Sequence, residues 1–114
     1  MSELSSAPVA SARPAPSEQV AQLRAIRSLV EELAGLAPRA DHPLAVDLDR
    51  RYDVASPIAQ RHFDALAGET AAYAEAGLSA LIAGRGAGGE ISGGAAHLAR
   101  EMARSIQRME TLLP

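Results

Sequence analysis

Residues Ser56–Ala83, SPIAQRHFDALAGETAAYAEAGLSALIA, carry the longest uninterrupted helical pattern in the chain. Ser56 is suited to cap a helix, and Pro57 to occupy its first position, where a fixed φ and a missing N–H do no harm. Ala59, Phe63, Leu66, Thr70, Tyr73, Gly77 and Leu81 then recur at spacings of four and three, which is one face of an α-helix. The pattern stops at Gly84, where a glycine-rich run begins. A long helix with one apolar face must bury that face against other elements, and the rest of the sequence supplies only helices.

The first of these is expected to start at Ser17 as cap, with Glu18 at the positive helix end. Val20, Leu23, Ile26, Val30, Leu33 and Ala37 form its buried stripe, and Leu29 and Leu36 widen it. Arg24, Arg27, Glu31 and Glu32 are assigned mostly to the solvent face, with Arg27 and Glu31 spaced to pair. Pro38 ends the element. After the connection Arg39–Pro43, Asp41 is placed to cap a short helix over about 43–53. Leu44, Leu48 and Tyr52 share its inner face, with Val46 alongside. A last helix over about 94–113 carries Ala95, Leu98, Met102, Ile106, Met109 and Leu113. No segment alternates as a strand would. The expected architecture is all-α: a small antiparallel bundle of three main helices and one short one. It spans 17–114, with a flexible glycine-rich loop at 84–94. Residues 1–16, rich in Ser, Ala and Pro, read as a disordered tail.

Composition sharpens this reading. Of 114 residues 25 are alanine, and Leu, Ile, Val and Phe together make 24. Alanine favours helix but buries little area, so a monomer is expected to have a thin core. That points to a homo-oligomer, a dimer first, or to a protein partner. All 11 cationic side chains are arginine, which with the alanine and glycine content suggests coding bias in a GC-rich bacterial genome. A net charge of −3 gives no prior for nucleic acid. The chain has no cysteine, which excludes disulfides and thiolate chemistry. No apolar run reaches membrane-spanning length, and the first residues lack a secretory pattern, so a cytoplasmic protein without membrane contact is expected.

Motifs for chemistry are weak. Gly84, Gly86, Gly88 and Gly89 are closely spaced, but a phosphate loop needs a preceding strand and a lysine. Asp47, Asp49 and Asp53 begin like a calcium loop, which then fails at Tyr52 and Ile58. His97 and Glu101 are four apart, but His97 lies opposite Met102 and Ile106, and neither it, His42 nor His62 belongs to a ligand set. Ser79, Ser92 and Ser105 sit in no nucleophile elbow. The expectation is no catalytic residue, no metal and no cofactor.

What remains is surface. Arg100, Arg104 and Arg108 repeat every four residues as one stripe, flanked by Glu101 and Glu110. Ala65, Ala72 and Ala76 form a second, small-residue face on the long helix. With Phe63 and Tyr73, these are the candidate partner-binding residues. The expected function is a non-catalytic helical interaction or regulatory protein that self-associates or binds a protein partner. Two alternatives stand beside it. One is nucleic-acid association through the arginine stripe. The other is an enzyme site assembled between helices or across an oligomer interface.

Overall fold

Six residues near the middle of the chain decide how the long helices meet. The computed structural model describes residues 14–37, 43 and 47–114, and within these the secondary structure is helical. Helix α1 is Pro16–Leu33, α2 is Leu48–Asp53, α3 is Pro57–Gly86 and α4 is Ser92–Leu112. The greater part of the expected tail (1–13), the cap Asp41, and His42, Leu44 and Val46 lie outside the described residues.

From the six-residue α2, side chains reach all three long helices. Asp49 accepts from both the backbone N–H and the hydroxyl of Ser17, at 2.8 Å each. The Arg51 guanidinium donates to the carbonyl of Leu113, just past α4. The Tyr52 hydroxyl bonds Asp64 at 3.0 Å, and its ring meets Phe63 edge-on at 5.7 Å. The starts of α1 and α3 and the end of α4 are thereby gathered at one end. Helix α4 runs antiparallel to both neighbours. Against α3 the register is set by Gly77 beside Leu98, Leu81 beside Gly94 and Gly84 beside Ile91.

Each helix end has a chemical reason. Ser56 caps α3 by accepting from the Ala59 N–H, with Pro57 following as expected. At α1 the cap position is Ala15, not Ser17. Glu18 reaches back to accept the Ala15 N–H, and Ser17 sits inside the first turn, where it donates to Asp49. Gly35 (φ 74°) stops α1 three residues before Pro38. Its N–H bonds the Glu32 carbonyl and that of Leu36 bonds Glu31, the paired closure that a left-handed glycine permits.

The same device ends α3 and corrects the expected loop at 84–94. Gly84 and Gly86 are helical, and α4 begins at Ser92, so the connection is only 87–91. Gly88 (φ 84°) donates to the Arg85 carbonyl and Gly89 to Gly84. The glycines are thus divided between helix and cap. Glu90 then accepts from the Ser92 N–H at 2.5 Å, serving a backbone donor in the first turn of α4.

The core places α4, rather than α3, at the centre. Ala95, Leu98, Ala99, Met102, Ile106 and Met109 are buried along it, and it packs against both α1 and α3, which touch each other far less. Phe63, Leu66, Ala67, Thr70 and Ala74 answer from α3. Leu48 of α2 is fully buried.

Helix α1 departs most from expectation. Its buried line is Val20, Leu23, Arg27, Val30 and Glu31. Arg27 and Glu31, expected on the solvent face, are a buried pair 3.6 Å apart. Arg24 is also turned inward and pairs with Glu110 of α4. The side of α1 that meets α4 is rotated from the leucine-rich stripe toward Arg24 and Arg27, and the Arg24–Glu110 ion pair across the two helices holds that rotation.

Candidate functional site

Rotating α1 toward α4 turns its other apolar residues outward. Ile26 and Leu33 are half-buried, and Leu29 is 54% exposed. With Gln22 they follow a 4-3-4 spacing, a seam of its own beside the buried line. Because α1 and α3 both lean on α4 and barely meet, a groove opens between them. Pro14, Gln19, Gln22, Leu23 and Ile26 line it from one side and Asp64, Ala67, Gly68 and Ala71 from the other, enclosing about 320 Å³. Its floor is apolar. Small residues keep the α3 wall low: a Cβ added at Gly68 would meet nothing within 4 Å. Further along α3, Leu78 is half-buried and Ile82 is 60% exposed. Leu36, just past the α1 cap, is also exposed.

The residues singled out from the sequence fall elsewhere. Phe63, a partner-binding candidate also expected on the buried stripe, is completely buried against Tyr52. Tyr73, expected on the buried stripe, is 46% exposed. It shares a smaller cleft of about 210 Å³ between α3 and α4 with Leu66, Glu69, Thr70, Glu101, Ser105 and Arg108. The structure thus brings Tyr73 and Arg108 together, and leaves Arg100 and Arg104 on the outer side of α4. Arg104 bonds Glu101 one turn away, so part of the stripe is locally neutralised. Ala65, Ala72 and Ala76 are exposed on the side of α3 away from the core.

Chemistry in the smaller cleft is limited. The Thr70 hydroxyl is engaged with the Leu66 carbonyl and Glu101 with Arg104, so neither presents a free acid or nucleophile. His62 and His97 are exposed on separate helices. Among the described residues no group of three or more His, Asp or Glu is placed to hold a metal. Nor, among them, is any helix long and apolar enough to cross a membrane. The Glu90 carboxyl is held below its usual range by the Ser92 backbone N–H and then by the Ser92 side chain. It serves the helix end.

Compared with known proteins, the chain matches no family model, no curated protein and no solved structure.

The groove was missed in the sequence because Leu29, Leu33 and Ile26 merged with Val20, Leu23 and Val30 into one wide stripe. The available signal was width. Two interleaved lines, 20-23-27-30 and 22-26-29-33, cover more of a helix than one neighbour can cover.

Proposed function

We propose that this protein is a non-catalytic helical interaction module that receives an α-helix in the groove between α1 and α3. One observation carries the reading: α1 buries Arg27 and Glu31 while exposing Leu29. Burying charge is costly and exposing leucine forgoes burial energy, so a surface with that arrangement is best accounted for by a partner that covers it. Exposed leucines bordering an apolar groove fit the helix-in-groove mode of recognition. With an apolar floor and few convergent polar groups, the groove suits side chains better than a polar small molecule. Self-association is one form of this function, and the thin, alanine-rich core expected from the sequence favours some association.

The test separates surface from core. The double variant Leu29→Glu/Ile82→Glu is expected to keep the wild-type helical circular dichroism and melting temperature, since both side chains face solvent. Light scattering over a concentration series, on wild type and variant, reads any homotypic association. A variant that melts far below wild type as a monomer would assign these residues to the fold and remove the reading.

A further inference from the structure

We infer that the occupant of the α1/α3 groove is an amphipathic helix of a different protein, with leucine-like residues at three- and four-residue spacing and arginine or lysine on its flanks. This rests on the groove being an interaction surface, as proposed above, and adds the chemistry of the partner.

The argument is the charge of the two rims. On α1, Glu18 stands one turn before Gln22, and Glu32 three residues after Leu29. Both glutamates are exposed. On α3, Asp64 lines the groove itself and Glu75 lies one turn beyond Ala71, exposed. Residues three or four apart on a helix are surface neighbours, so each of these acids borders a groove or seam residue. Among the described residues, the cations facing this side are Arg61 and Arg85, near the two ends of α3. Arg24 pairs with Glu110 of α4, and Arg27 is buried beside Glu31. An apolar channel is therefore bordered along its length by carboxylates.

Those rims choose between occupants. Two copies meeting groove to groove would set Glu18, Glu32 and Glu75 of each against the same residues of the other, and like charges at an interface are unfavourable. The basic side of this chain, Arg100 to Arg108, carries no exposed large apolar residue between its arginines and cannot fill the groove. A separate helix with an apolar stripe and basic flanks satisfies both floor and rims. The low wall at Ala67, Gly68 and Ala71 lets its backbone approach closely, making a fourth helix beside the three.

The experiment uses the full chain and two synthetic helical peptides of about 18 residues, matched in length to α1. Both carry leucine at the same three- and four-residue spacing. One has arginine on its flanks and the other glutamate, each with a fluorescent label for anisotropy. The arginine-flanked peptide is expected to bind about tenfold or more tightly than the glutamate-flanked one, and to weaken with added salt. Glu32→Lys/Glu75→Lys should erase or invert that preference, and Leu29→Glu/Ile82→Glu should abolish binding of both. Equal binding of the two peptides, with loss in Leu29→Glu/Ile82→Glu, would overturn the charge inference while leaving the groove an interaction surface. So would a wild-type dimer that excludes both peptides and dissociates in that variant. A monomer that binds neither peptide would overturn both readings.

Discussion

Arg27 and Leu29 stand two positions apart on α1 and face opposite ways, the arginine buried beside Glu31 and the leucine 54% exposed. Their truncations should therefore rank against hydrophobicity. Arg27→Ala removes a buried guanidinium that pairs with the buried Glu31 and is expected to cost about 3 kcal/mol. Leu29→Ala is expected to cost less than about 0.5 kcal/mol, as surface changes do. Urea unfolding of both variants reads the difference, and the opposite ranking would mean that α1 is rotated from the position described.

The contact between Gly77 and Leu98 offers a coupled test. A Cβ on Gly77 would lie 2.8 Å from Leu98 Cδ2, and Leu98 is itself buried. Gly77→Ala gains about 1 kcal/mol of helix propensity but overpacks the α3/α4 seam, which costs about 1–3 kcal/mol. A net loss of about 1 kcal/mol is expected. In a Leu98→Ala background the same change should become neutral or stabilising, and a double-mutant cycle measures that coupling.

Glycines close together in sequence should respond with opposite sign. Gly88 holds φ at 84°, so Gly88→Ala is expected to destabilise by about 1–2 kcal/mol. Gly86 is helical with open space at its missing Cβ, so Gly86→Ala should stabilise by up to about 1 kcal/mol. Thermal melts suffice. Equal small effects at both would restore the reading of this segment as a plain flexible linker.

This run illustrates what the sequence could and could not yield. Helix type and number were legible because apolar periodicity and the Ser56-Pro57 start are local. The end of α3 was not, because six glycines in 84–94 look alike until hydrogen bonds such as Gly89 to Gly84 single out the cap. Asp49 was weighed as a calcium-loop position. Its role at α1 depends on Ser17, 32 positions away, which no local pattern reports. Phe63 and Tyr73 share a stripe in sequence, yet only the first is buried, since α3 meets α4 along one side of that stripe. The groove was hidden for the same reason: side chains are sorted between neighbour and solvent by helix rotation, which tertiary contacts such as Arg24 with Glu110 set.

Asp49 invites its own test. Its carboxylate receives two bonds from Ser17 in the first turn of α1, near the positive helix end. Asp49→Ala is expected to cost about 1–2 kcal/mol and to speed amide exchange in the first turn of α1. Ser17→Ala, which keeps the backbone N–H bond, should cost less. Identical losses would assign the effect to the hydroxyl alone.

Glu90 gives a pH dependence with a defined sign. Its carboxyl is held below the usual range by the Ser92 N–H first and the Ser92 side chain second. A carboxylate with a depressed folded pKa stabilises above its unfolded pKa, and that contribution disappears as pH falls through the folded value. Carbon-13 titration should place the Glu90 midpoint below the ordinary glutamate range. Glu90→Gln should flatten the acid limb of the stability curve slightly, since the group is exposed, while leaving neutral-pH structure intact. A Glu90 midpoint at or above the ordinary glutamate value would place its carboxylate away from Ser92.

The pairing of Arg24 with Glu110 joins residues 86 positions apart, whereas α3 and α4 meet across a connection of five. Loop-closure entropy rises with the length closed, so the two classes of contact form under different penalties. The α3/α4 hairpin can assemble from its own neighbourhood, while α1 must find α4 across most of the chain. In folding, α1 is therefore expected to dock after the hairpin has formed. The helix that offers the groove is then also the last to dock, and an incoming helix that spans α1 and α3 would brace the late-docking segment against the early one.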